Sequence, residues 1–246
     1  MKNFLGRIFA GWAIIIFIIT MVPVALVMWI IKLVKEPKRT QIFRVTSLIW
    51  MRIFFFASGC RLIVKGKKNF EPGKNYIVLC NHNSLMDVPL STPFIPGANK
   101  TIAKAEMARI PVFGMIYQRG SILVDRSDKN SRSESFKKMK EVLKMGMHMC
   151  IYPEGTRNKT ALPLKDFHDG AFRLAVESGT PIIPALIFNT KKVLPPGKIF
   201  FFWPSKMELH FLPHVTVNKS EDFEKLKQKL HQLMSDYYSA HFNDLQ

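Results

Sequence analysis

Acidic residues are scarce in this chain of 246 residues: 18 Asp and Glu stand against 36 Lys and Arg, a formal net charge of +18. Such a surplus favours anionic partners, whether nucleic acid, an acidic lipid surface or a phosphorylated substrate. Cysteine is scarcer still, with only Cys60, Cys80 and Cys150. They form no CxxC pair and no regular spacing, which argues against a disulfide framework or a cysteine zinc site and fits a reducing cytosolic environment. Internal repeats and low-complexity stretches are missing. The length suits one sizeable domain, and a second would be small.

Charge is missing altogether from residues 8–31. As a helix this run extends about 36 Å, enough for a hydrocarbon core of about 30 Å. It is too long for a signal-peptide core, and no small-residue cleavage site follows. Pro23 falls inside the run and is expected to kink or divide it. Lys32, Lys35, Lys38 and Arg39 outweigh Lys2 and Arg7 on the other flank, so the rest of the chain is expected on the cytoplasmic side. Residues 42–57 mix Arg44 and Arg52 with Trp50, Phe54, Phe55 and Phe56. That composition suits an amphipathic helix at the headgroup level, its arginines reaching phosphates. Two arrangements stay open: a true span, or a two-helix hairpin dipping into one leaflet.

Beyond Gly59 the pattern changes. Short apolar runs at 61–65, 76–80, 100–103, 121–125, 148–152, 182–188 and 207–212 read as strands. Residues 131–145 read as a helix, with Phe136, Met139, Val142 and Leu143 three and four apart and Gly146 as its stop. A short helix is expected near Glu106, another at 171–178 ended by Gly179, and a terminal one at 221–238; Ser84 is a candidate cap for a helix beginning near Leu85. Strands alternating with helices imply an α/β fold with a mixed, largely parallel sheet flanked by helices. Polar residues just past strand C-termini gather at one edge of such a sheet, where ligands bind.

Two polar clusters follow strands. The first is Asn81-His82-Asn83-Ser84-Leu85-Met86-Asp87. Residues five apart point about 140° apart on a regular helix, so His82 and Asp87 meet only if His82 sits in the turn and Asp87 in the first helical turn. A carboxylate on one ring nitrogen fixes the tautomer and leaves the other nitrogen to take a proton. This is a hydrolase-like relay without a serine, in which a substrate hydroxyl takes the serine's place. The second cluster is Tyr152-Pro153-Glu154-Gly155-Thr156-Arg157. Its glycine lets backbone approach a ligand, and its arginine can grip phosphate with two parallel bonds. Either cluster alone is common; the ordered pair is far more specific. Lys104, Arg119 and Arg126 are further candidates for a cationic pocket.

These motifs resemble the glycerolipid acyltransferase family, most of all its bacterial 1-acylglycerol-3-phosphate acyltransferases, over residues 60–215. Asn81-His82 with Asp87 resembles the first family motif, Gly120 to Asp125-Arg126 the second, Tyr152 to Arg157 the third and Pro181-Ile-Ile-Pro184 the fourth. Lys104-Ala-Glu106 with Pro111 and Gly114 resembles a stretch between the first two. Tyr152 departs from the more usual phenylalanine, and the Asp166–Gly170 stretch is more acidic than the family pattern. The resemblance implies that His82 is the base and Asp87 its orienting partner. It also implies that Arg126 and the Glu154, Gly155, Thr156 and Arg157 loop hold the acceptor's phosphate end, with Lys104 helping. Residues 1–58 would be a membrane-embedding helical pair and 59–246 the catalytic domain, at the cytoplasmic face of the inner membrane. The expected reaction takes a fatty acyl group from acyl-CoA or acyl carrier protein to lysophosphatidic acid, beside membrane phospholipids and with no metal or organic cofactor. Another lyso-lipid, such as a lyso-ornithine lipid, is an alternative acceptor. A basic membrane-tethered binding protein would explain the charge but not the two motifs, and no nucleic-acid motif is present. A covalent route through Cys80 or Ser84 is disfavoured, because Cys80 suits a buried strand and Ser84 a cap. Zinc at His210 and His214 is disfavoured by the intervening Pro213.

Overall fold

The apolar run at 182–188 becomes a strand whose seven residues are all buried. Fully burying each large aliphatic side chain contributes about 1.5–3 kcal/mol, so this strand belongs at the centre of a sheet. The computed structural model describes residues 1–125 and 127–242. In chain order it contains helices α1 (Lys2–Ile30) and α2 (Lys38–Ala57), strands β1 (Arg61–Lys65) and β2 (Ile77–Cys80), α3 (Asp87–Ser91), β3 (Asn99–Lys104), α4 (Phe113–Gly120) and β4 (Ser121–Val124). There follow α5 (Lys129–Lys144), β5 (His148–Ile151), α6 (Gly170–Ser178), β6 (Ile182–Phe188), α7 (Thr190–Val193), β7 (Lys206–Phe211) and α8 (Phe223–Phe242). The expected helix near Glu106 is a 3-10 turn over Ala105–Arg109.

Seven strands form one sheet in the order β1-β7-β6-β2-β5-β3-β4. Every neighbouring pair is parallel except β6 with β7. The C-terminal ends of β2, β3, β4, β5 and β6 therefore share one edge. Alternation divides the core between the two faces. Val78 and Cys80 of β2 pack with Trp50, Met51, Phe54 and Phe55 of α2, while Ile77 and Leu79 pack with Leu174 of α6 and Leu226 and Leu230 of α8. Asp128 caps α5 by accepting the N–H groups of Asn130 and Ser131, and Gly179 ends α6 in the left-handed region at φ +68°.

The N-terminal helices share the core of the first face. Of the two expected outcomes at Pro23, a kink or a division, the division does not occur: helix α1 runs through Pro23. A proline forfeits one N–H bond, and packing of the helix against its neighbours offsets that loss here. With the turn that follows, α1 is long and apolar enough to cross a membrane. It nevertheless lies against the body at both ends. Near its start the Phe202 N–H donates to the Gly6 carbonyl at 3.0 Å, and a Cβ on Gly6 would run into the Phe201 ring. Midway, the Trp50 indole donates to Thr20 Oγ1 at 2.9 Å. Past its end, Lys100 of β3 donates to Glu36 at 2.8 Å. Burial alone would raise the Glu36 pKa, but the bonds from Lys100, Thr40 and Arg39 bring it down to about 2. The outward faces stay apolar, with Trp12, Ile15, Ile19, Val22, Ile49, Ile53 and Phe56 exposed.

Candidate active site

Asn81 directly follows strand β2, and its side chain bonds the backbone of the neighbouring β6. Its Nδ2 donates to the Ile187 carbonyl at 3.0 Å, and its Oδ1 accepts the Ile187 N–H at 2.6 Å. The next residue, His82, is thereby fixed at the C-terminal edge. Its backbone N–H donates to Glu154 Oε1 at 2.7 Å, and its carbonyl accepts the Asn158 N–H at 2.6 Å. Its ring lies over Tyr152 with centroids 4.6 Å apart. The Tyr152 hydroxyl is bonded to Ser91 Oγ at 2.6 Å, and burial pushes the Tyr152 pKa well up, so the phenol stays neutral.

Asp87 is fully buried at the first position of α3. Its Oδ2 lies 2.9 Å from His82 Nδ1 and also accepts the N–H groups of Asn83 at 2.5 Å and Ser84 at 2.7 Å. This is the turn-then-helix geometry the spacing required. It differs from the sequence expectation in one detail, since the helix begins at Asp87 and not near Leu85. Ser84 Oγ accepts the Met86 N–H at 3.2 Å in the turn before the helix and donates to the Leu194 carbonyl at 2.7 Å. With Nδ1 committed to Asp87, the remaining ring nitrogen of His82 makes no protein hydrogen bond among the described residues, and the side chain is 18% exposed. Cys80 is fully buried, 3.8 Å from Cys150 across the β2–β5 pair, and its pKa is pushed well up by that contact and by burial. Neither Cys80 nor Ser84 presents a nucleophile.

Glu154 sits where two loops meet, only 1% exposed. Its Oε1 takes the His82 N–H and its Oε2 takes the Lys165 N–H at 3.0 Å. Burial raises its pKa, while the two backbone N–H bonds and His82 oppose the rise. Gly155 follows at φ +68°, a conformation that favours glycine. Thr156 Oγ1 accepts from Lys165 Nζ at 2.7 Å. Arg157 is partly exposed and makes no ion pair among the described residues. Lys104 is exposed at the end of β3, three residues past the Thr101–Cys150 pair, so it stands at the same edge. Arg119 is in α4. Arg126 lies outside the described residues.

Residues 61–188, from the first residue of β1 to the last of β6, match the family model described as Acyltransferase. The chain is 30% identical over 190 residues to the 1-acyl-sn-glycerol-3-phosphate acyltransferase of Borreliella burgdorferi, covering 73% of each protein. It is 31% identical over 195 residues to the protein of that name from Helicobacter pylori, covering 78% of this chain and 79% of the relative. The chain belongs to the acyltransferase family. Its fold is that of a solved structure, the 1-acyl-sn-glycerophosphate (LPA) acyltransferase PlsC from Thermotoga maritima, with a TM-score of 0.83 at 22% identity, covering 98% of this chain and 97% of the other.

Two residues of this acyltransferase site were not foreseen from the motifs. Asn158 closes the Glu154 loop onto His82 through its backbone, and its side chain bonds Thr160 and Leu162. Lys191, half-buried on α7, donates to the Thr160 carbonyl at 3.4 Å. Burial lowers its pKa, and its attraction to Glu154 and Asp87 opposes that fall. The signal for Lys191 was its position just past β6, the strand that neighbours β2.

Proposed function

We propose that this acyltransferase moves a fatty acyl group from a thioester of CoA or acyl carrier protein to the free sn-2 hydroxyl of lysophosphatidic acid, giving phosphatidic acid. The observation that carries the reading is the His82–Asp87 contact at 2.9 Å, with the second ring nitrogen left without a protein partner. That nitrogen takes the hydroxyl proton as the oxygen attacks the thioester carbonyl. The C–O bond forms, the tetrahedral oxyanion collapses, the C–S bond breaks, and His82 returns the proton to the thiolate. The cations Lys104, Arg157 and Lys191 are the groups offered to the acceptor's phosphate, and Arg126 joins them on the family resemblance alone. Glu154 and Gly155 hold the loop: a carboxylate buried on two backbone N–H groups is a poor phosphate ligand and a good brace.

The same reading places residues 1–58 in the membrane and 59–246 at its cytoplasmic face, in the inner membrane. Because α1 is tied to the body at Gly6 and again past its end at Glu36, we favour the pair lying along one leaflet over a straight span. Maleimide labelling in sealed vesicles tests this: Asn3→Cys and Lys68→Cys react from the same side, and reaction from opposite sides supports a span. The reaction is tested by supplying the detergent-purified chain with labelled acyl-CoA or acyl carrier protein and a panel of lyso-lipids. Phosphatidic acid is the expected product. Transfer only to a different lyso-lipid overturns the acceptor, and transfer to none overturns the reaction.

A further inference from the structure

One group of cations away from the cleft lines a groove and has no carboxylate partner. A groove of about 630 Å3 runs between α2 and β1, lined by Arg52, Phe55, Arg61, Leu62, Lys67 and Phe94. Strand β1 is an edge strand of the sheet, with no further strand beyond it among the described residues. Arg44, half-buried on α2 with its Nε donating to the Pro93 carbonyl at 3.1 Å, is a fourth charge close to the groove. Burial and repulsion from Arg52 hold Arg44 below its ordinary pKa, and burial with repulsion from Arg52 and Arg44 does the same to Lys67. Among the described residues no carboxylate forms an ion pair with any of the four. Like charges held together at the rim of a groove, with no protein anion between them, match an anionic occupant.

The walls restrict that occupant further. Phe55 stacks on Phe94 with centroids 6.2 Å apart. Phe56 at the lip is 87% exposed and continues the outward apolar stripe of Val45, Ile49 and Ile53 on α2. A nucleic acid or a free nucleotide would meet the cations but leave the stripe bare. A molecule with a phosphate head and acyl chains meets both.

We propose that the groove between α2 and β1 binds one membrane phospholipid with an anionic headgroup, its phosphate held by Arg52, Arg61 and Lys67 and its chains laid along Phe56 and Leu62. Phe94, in the 3-10 turn after α3, links this groove to the segment that carries Asp87. The inference rests on the membrane reading above, which the labelling experiment tests separately.

Native mass spectrometry of the full chain in detergent, with equimolar phosphatidylglycerol and phosphatidylcholine, tests it. Arg52→Gln/Lys67→Gln removes two exposed charges from the groove, and Lys137→Gln/Lys144→Gln removes two from α5 as a control. Wild type is expected to retain one phosphatidylglycerol in preference to phosphatidylcholine. The groove variant should lose this affinity by about thirtyfold while the control stays within about twofold of wild type. Inorganic phosphate and free coenzyme A should leave the lipid in place. Equal retention by the groove variant and wild type overturns the proposal. Displacement by phosphate or coenzyme A also overturns it, in favour of a free anion or the acyl donor.

Discussion

Replacing Asp87 by Asn removes a charge while the side chain keeps its shape. Oδ2 takes all three N–H groups that face the carboxylate, from His82, Asn83 and Ser84, whereas Oδ1 is buried and takes none. An asparagine carbonyl standing where Oδ2 stands keeps the three bonds, and with them the His82 tautomer. Its NH2 falls where Oδ1 stands, without an acceptor, at a cost of about 1–3 kcal/mol in stability. The chemistry loses the negative charge that steadies the His82 imidazolium while it holds the acceptor's proton. Exchanging a charged for a neutral acceptor at this distance raises the barrier by about 2–4 kcal/mol, roughly 30- to 1000-fold in kcat. A swapped tautomer would cost nearer ten-thousand-fold, as a neutral replacement does in a serine-protease triad, so the size of the loss reports how the three donors are shared. Initial rates with saturating acyl-CoA and lysophosphatidic acid give kcat, and a melting curve checks the fold. Both KM values should hold. A folded Asp87→Asn protein with kcat within about threefold of wild type would refute the role of the charge.

Glu154→Gln offers one acceptor to two backbone N–H groups, so stability should fall by about 2–3 kcal/mol, with kcat falling as His82 loses its tether. A raised acceptor KM with unchanged melting and kcat would instead make Glu154 a substrate ligand. Glu36, with its pKa held at about 2 against an ordinary 4.5, contributes stability that is present above pH 4.5 and lost as pH falls towards 2. Glu36→Gln should flatten that part of the stability–pH curve, and an unchanged acid limb would contradict the assignment. Lys191→Ala should raise the lysophosphatidic acid KM by about tenfold with kcat nearly kept, and Lys191→Arg should restore most of it. A drop in melting temperature with unchanged KM would mean Lys191 only balances Glu154 and Asp87.

Elements set by local chemistry were legible to within a residue or two. The apolar run of β6 and the glycines closing α5 and α6 act through burial and left-handed backbone, which neighbours in sequence suffice to specify. Helix α4 has no clear local signal: Gly114 disfavours a helix, and its glycine answers a tertiary need, because a Cβ there would run into the Ala108 carbonyl. The His82–Asp87 contact was legible because five residues and one turn define it. The two backbone N–H groups that Glu154 accepts were not, since a motif carboxylate reads the same whether it faces a phosphate or two backbone amides. Asn158 adjoins the Tyr152–Arg157 motif, but its bond to the His82 carbonyl, like the nearness of Lys191, depends on the strand order β6-β2-β5, which no local pattern contains. That Pro23 does not divide α1 is not readable locally, because the cost of the proline is local whereas the packing that offsets it comes from α2 and the body.

No measurement bears more directly on His82 as the base than phosphatidic acid formation by His82→Gln at saturating donor and acceptor. The expected result is a fall in kcat of about 10³–10⁴-fold with an unchanged melting temperature. A folded His82→Gln protein that forms phosphatidic acid at the wild-type rate would contradict the assignment.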